Sequence, residues 1–267
     1  MSETKNKVAK KQSTAVGMIS KFESVKSRGL ENIRQEDKSM PTLKLLQNGS
    51  PENNKNDASH VKGAQPGMIL DPAGDTLYDG DEGVQVIPWG FAIQYVEWAD
   101  RGTGPKSPIA FHAITSDILK QTTRDGSFKD RLPNGNYLEK TAYHFVLLVS
   151  EGSAPKPAVV TFKSTNLKVS RRWNNLMTDV QFKGQDGYFT PPSFSHYYKL
   201  KSAQQSNDKG SWYNWGIERL EPLVDGTDDA LFEKALSLAD SFDNKMIHSQ
   251  IAAPKPEQTE EQRKSPF

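Results

Sequence analysis

Between Lys156 and Lys201 the chain carries eight basic residues against two acidic ones. They are interleaved with Phe162, Trp173, Phe182, Tyr188, Phe189, Phe194, Tyr197 and Tyr198, and Trp212, Tyr213 and Trp215 follow closely. Single-stranded nucleic acid calls for this pairing: cations neutralise phosphates, and flat aromatic faces accept unstacked bases at about 1–3 kcal/mol each. The candidate phosphate contacts are Lys163, Lys168, Arg171, Arg172, Lys199 and Lys201. The candidate stacking platforms are Trp89, Tyr197, Tyr198, Trp212 and Tyr213. Neighbouring strand residues point to opposite faces, so the Tyr197-Tyr198 and Trp212-Tyr213 pairs each leave one ring facing away from a one-sided core. The competing role for every one of these rings is core packing. Trp173, at helical spacing with Val169 and Met177, is expected in the core.

The patterns of enzyme sites are missing. His60, His112, His144, His196 and His248 are scattered in sequence, with no H-E-x-x-H motif among them. There is no G-x-x-x-x-G-K-[ST] loop and no Gly-x-Ser-x-Gly elbow, and Gly102-Thr103-Gly104 lacks the rest of a dinucleotide fingerprint. Without cysteine there is no thiol nucleophile, disulfide, Cys-based zinc site or Fe–S cluster. The acidic string Asp75, Asp79, Asp81 and Glu82 could hold magnesium for a nuclease. Gly80 and Gly83 mark it instead as a solvated turn. The expectation is therefore a binding protein with no metal and no cofactor.

A formal net charge of +1 over 267 residues conceals opposed blocks. The balances are +5 for residues 1–62, −5 for 63–130, +5 for 131–221 and −4 for 222–267. The mean hydropathy of −0.70 implies that part of the chain lies outside any core. No apolar run approaches the ~20 residues of a membrane span, and the N-terminal residues lack a secretory signal's apolar core. A cytoplasmic setting is expected.

Four elements must position the chemistry. Residues 1–41 read as a polar, largely disordered arm with a short amphipathic helix around Met18, Ile19 and Phe22. Residues 42–221 read as a mainly β core with strands at 63–70, 83–98, 142–149, 158–163 and 209–220, the last preceded by the aromatic run 188–202. Within it Gly90 predicts a bulge and Pro88 an edge or strand start, and 164–180 predicts one inserted helix capped by Ser164 or Thr165. A C-terminal helix is predicted within 222–247, from Asp228 to Ile247, and 248–267 reads as a disordered tail. The strands are expected to curl into a barrel or sandwich.

Five blocks, in the same order, resemble those of bacteriophage single-stranded-DNA-binding proteins, nearest to those of podoviruses that carry a virion RNA polymerase. They are LKLLQNGSPE (43–52), GAQPGMIL (63–70), VIPWGFAIQYVEWADRGTG (86–104), STNLKVSRRWNNLM (164–177) and NDKGSWYNW (207–215). The resemblance implies an OB-type β-barrel that coats single-stranded DNA in phage replication and recombination, with a possible part in transcription. The C-terminal residues Pro266 and Phe267, after Glu257, Glu260 and Glu261, resemble the partner-docking tails of such proteins. Arg263 and Lys264 depart from that pattern and suit an acidic surface, such as one on an RNA polymerase. The rival expectation is a virion structural protein with a β-sandwich core.

Overall fold

The computed structural model describes residues 18–33, 40–100, 102–105, 107–124, 126, 129–208 and 210–242. It divides into two units, Met1–Lys38 and Ser39–Phe267. In the first, residues 18–24 form helix α1, where the apolar spacing predicts one, and Met18, Ile19 and Phe22 on it are exposed. No helix among the described residues is long and apolar enough to cross a membrane.

The second unit is mainly β. It begins with β1 (Thr42–Leu45), β2 (Ile69–Asp71), β3 (Thr76–Tyr78) and the long β4 (Val84–Trp98). Three short strands follow, β5 (Ala110–Ala113), β6 (Thr123–Arg124) and β7 (Asp130–Arg131), before β8 (Tyr137–Val149) and β9 (Lys156–Lys163). Helix α2 (Leu167–Thr178) and the hairpin β10 (Phe182–Gly184) and β11 (Gly187–Phe189) precede β12 (His196–Asn207), β13 (Gly210–Pro222) and helix α3 (Asp229–Asp240). One curled sheet runs in the order β13-β12-β4-β8-β9-β1-β2-β3. Strand β5 pairs with β4, β7 joins β8 and β6, and β10–β11 stands apart.

Coverage of both sheet faces explains the unbroken apolar run of β8, where Thr141 to Leu148 are all buried. On the inner face Val84, Val86, Val146, Val160, Phe162, Tyr198, Leu200 and Ile217 enclose Trp173 of α2, which is fully buried. The His144 ring stacks on Trp173 at 4.4 Å and 7°, and its Nε2 lies 2.8 Å from Ser170 Oγ. Burial pushes His144 down to about 3, so it is a neutral core residue. On the outer face α3 lays Leu231 and Ala235, with Phe242 beyond them, over Ile87, Trp89, Phe145, Leu147 and Val159.

The bulge predicted at Gly90 is present as a register shift between Pro88 and Gly90 in the β4–β8 pairing. A Cβ at Gly90 would stand 3.4 Å from the Phe145 Cβ, a close approach that favours glycine. The bulge reassigns faces. Trp89 turns outward against Phe145, whereas Phe91 turns inward against His144. Pro88 falls between the stretches of β4 paired with β12 (84–86) and β5 (94–97), where no strand needs its missing N–H.

Two local expectations are corrected, and a third runs beyond the described residues. Only residues 69 and 70 of the 63–70 run are extended, as the start of β2, because Gly63 and Gly67 take φ of +90° and +88°, outside the extended range of a regular strand. The inserted helix is not capped by Ser164 or Thr165: Ser164, at φ +50°, opens a 3-10 turn, and Asn166 is the N-cap residue. The Asn166 side chain does not cap the helix and accepts instead from Trp215 N–H. The C-terminal helix is described to Asp240, and the expected extension from residue 243 onward lies outside the described residues.

Candidate nucleic-acid interface

Beyond the bulge, the paired β4 and β8 continue as a ribbon past the region that α3 covers, flanked by β5 along β4 and by β7 along β8. The apolar cluster beneath α3 includes no β4 residue after Ala92. Trp98 and Tyr137 are cross-strand partners at the end of this ribbon. Lys163 Nζ, from β9, stands 5.6 Å from the Trp98 ring centre, and Lys129 Nζ stands 4.1 Å from that of Tyr137. Lys140 Nζ lies 6.0 Å from the ring of its partner Tyr95. One ribbon end thus gathers three aromatic–cation pairs, each combining a stacking surface with a phosphate-neutralising charge.

Carboxylates hold two of these cations, Lys163 and Lys129, in place. Glu139 Oε2 is 3.3 Å from Lys163 Nζ, and Asp100 binds Lys129 at 2.8 Å and Arg131 at 3.1 Å. The hydrogen bond from Lys129 keeps the Asp100 carboxyl below the usual carboxylate range. Glu97 fastens the neighbouring segments to the ribbon. Burial pushes its carboxyl up, but hydrogen bonds from Asn136, His112 and Asn134 together hold it below its ordinary value. These contacts are 2.6 Å to Asn136 Nδ2, 2.8 Å to His112 Nε2 and 3.4 Å to Asn134 Nδ2. No group of three or more metal-ligating side chains occurs among the described residues. In the acidic string, Asp79 Oδ1 accepts from the N–H groups of Asp81 and Glu82, which builds the turn between β3 and β4.

The residues singled out by sequence are dispersed. Lys163 belongs to the ribbon interface. Lys168, Arg171 and Arg172 are exposed on α2, off its buried Ser170–Trp173 face. Lys199 and Lys201 lie on the outer face of β12, and Lys201 pairs with Glu218 at 2.9 Å. Trp89 (4% exposed) and Tyr198 (1% exposed) are core side chains, which a base could reach only by unpacking the core. Tyr197 points to the opposite face from Tyr198, as the alternation requires, but donates its OH to Asp228 Oδ1 at 2.8 Å beneath α3. Burial and that bond push its phenol well above the ordinary tyrosine range. Trp212 and Tyr213 are half-buried, and the Tyr213 ring packs against the inner core and over Gly67. The tail residues Arg263, Lys264, Pro266 and Phe267 lie outside the described residues.

Sequence reasoning missed Tyr95, Trp98, Lys129, Tyr137 and Lys140 as a group. The register of β4 on β8 joins Tyr95 to Lys140 and Trp98 to Tyr137, about forty positions apart, and Lys129, just before β7, arrives through the pairing of β7 with β8.

The Pam3 phage gp34-like protein family matches residues 9–248 of the chain. The chain belongs to this phage protein family. No curated protein and no solved structure matches it. In this gp34-like protein the matched stretch includes every strand from β1 to β13 and both α2 and α3, so the ribbon interface lies within the family region.

Proposed function

We propose that this phage protein binds and coats single-stranded DNA during phage replication and recombination. The observation that carries the reading is the ribbon end, where Trp98 and Tyr137 stand side by side with Lys163 and Lys129 over their rings. Connectivity supports it. The sheet runs β13-β12-β4-β8-β9, with helix α2 between β9 and β12 in the chain, a curled arrangement that suits the OB-type barrel of this reading. Such barrels bind oligonucleotides across their second and third strands and the adjoining loops. Here those strands are β8 and β9, which carry Tyr137 and Lys163. The resemblance of the five sequence blocks to phage single-stranded-DNA-binding proteins points the same way.

The mechanism is equilibrium binding. Phosphates displace Glu139 and Asp100 and draw the lysines off the rings, and bases stack on the aromatic faces so freed with little sequence preference. Cations on α2 and β12 extend the charged path, and the C-terminal segment recruits a replication or transcription protein such as a polymerase. Titration of intrinsic tryptophan fluorescence with single- and double-stranded oligonucleotides tests the reading. Quenching by the single strand alone, with affinity falling as salt rises, is the expected result. Absence of any response, together with abundance of the protein in purified virions, would replace it with a structural role.

A further inference from the structure

The β10–β11 hairpin, FKGQDGYF, lies off the main sheet and has no part in the ribbon interface. Its register pairs Phe182 with Phe189, Lys183 with Tyr188 and Gly184 with Gly187. The first pair forms the anchored side: the two phenylalanine rings meet edge to face at 6.1 Å, and Phe182 lies 5.7 Å from the His196 ring at the start of β12. A hydrogen bond of 2.7 Å from Gln181 Nε2 to Thr190 Oγ1 closes the hairpin's base. Gly187, at φ +122°, makes the tight turn. The second pair faces the other way. Tyr188 is 75% exposed, the most exposed large apolar side chain among the described residues, and Lys183 stands directly across from it.

A two-stranded hairpin alone is marginally stable, and an exposed ring on its outward face does not help it fold. The pair on that face distinguishes between ligands. The centre of a protein-docking surface is depleted of lysine, whereas single-stranded nucleic acid calls for a ring and a cation together. The surrounding charge agrees: residues 163–201 hold seven basic and two acidic residues, and the hairpin's only carboxylate, Asp186, is in the turn.

We propose that the β10–β11 hairpin is a second contact for single-stranded DNA, separate from the ribbon end, in which one base stacks on Tyr188 and its phosphate meets Lys183. This rests on the DNA-binding reading above and extends it, because a second contact lengthens the strand occupied by each protein molecule.

The test measures affinity of the full chain for fluorescent oligo-dT of increasing length by anisotropy, for wild type, Tyr188→Ala, Tyr188→Phe and Lys183→Ala. Tyr188→Ala should lose roughly 5- to 150-fold on long oligonucleotides, little on the shortest ones that bind, and nothing in thermal stability. Tyr188→Phe should retain the wild-type affinity and Lys183→Ala should flatten the salt dependence. Wild-type affinity in Tyr188→Ala, while the wild type binds normally, overturns the hairpin contact alone. An equal loss at every length overturns its separateness, and loss of self-association or of a protein partner without loss of DNA overturns it in favour of a docking surface. A wild-type protein that binds no single strand brings down both readings.

Discussion

The side-chain amide of Gln47 pairs with the backbone of Tyr213 as a strand would: Nε2 donates to the Tyr213 carbonyl and Oε1 accepts from the Tyr213 N–H, both at 2.9 Å. Two residues past the end of β1, this closes the curled sheet onto β13, where no strand-to-strand ladder runs. Asn48 Nδ2 continues the seam to the Ser211 carbonyl at 3.1 Å. Each partly buried bond contributes about 0.5–1.5 kcal/mol net. Gln47→Ala should therefore lower unfolding stability by about 1–3 kcal/mol, read as a lower urea midpoint at constant slope. An unchanged midpoint would show that the seam contributes nothing.

Trp89 and Trp98 are nine residues apart on β4 and should respond oppositely to truncation. Trp89 is walled in by Phe145 at 5.3 Å and Phe242 at 5.9 Å, so Trp89→Ala should cost about 3–5 kcal/mol of stability through the cavity it leaves. Trp98 is half-buried at the ribbon end. Under the proposed reading Trp98→Ala should weaken single-strand binding by about 1–3 kcal/mol, measured by anisotropy. A Trp98→Ala protein with wild-type DNA affinity would remove the ribbon end from the interface.

The contrast between these tryptophans shows what the sequence could and could not reveal. Helix α2 with Trp173 at its centre, the strand at 158–163, and the bulge at Gly90 are local patterns, and periodicity with glycine chemistry exposes them. The bulge then defeats the same periodicity. An uninterrupted alternation would place Trp89, Phe91, Ile93 and Tyr95 on one face, but one extra residue sends Trp89 outward and the other three inward. Lys129 and Tyr137 become neighbours of Asp100 and Trp98 through pairing across a long connection, which no local pattern encodes. The aromatic doublet Tyr197-Tyr198 was legible as two opposite-facing rings. Its outward member is taken by Asp228, a contact 31 positions away.

His144 makes stability depend on pH in a defined direction. Its folded value of about 3 lies below the ordinary imidazole value of 6.5, and its ring meets the uncharged Ser170, Trp173, Phe91 and Phe162. Between these two values the unfolded chain takes up a proton that the folded chain refuses. The stabilisation is thus complete above about pH 6.5 and is lost as pH falls toward 3, at up to about 1.4 kcal/mol per pH unit. In His144→Gln, which keeps a hydrogen-bonding group without titrating, unfolding free energy should fall less steeply from pH 6 to 4. Glu97 and Asp100 titrate in both proteins and cancel in the comparison. Identical slopes would mean that His144 is protonated in the folded state.

Glu139 competes with phosphate for Lys163. Their contact of 3.3 Å is more than half exposed on the lysine side, and exposed pairs contribute at most about 1 kcal/mol, so Glu139→Gln should leave stability nearly unchanged. Under the proposed reading the substitution acts on binding instead. It frees the ammonium over the Trp98 ring and removes a negative charge from the path of the strand. Affinity for oligo-dT should rise several-fold at low salt, and the logarithmic salt slope should steepen by about 0.7, the value of one added phosphate contact on a single strand. Lys163→Ala should shift both quantities the other way. In a double-mutant cycle Glu139→Gln should then have little effect once Lys163 is gone, because the carboxylate acts mainly through that one cation. An equal gain in the presence and absence of Lys163 would assign the effect to overall charge and take Lys163 out of the binding site.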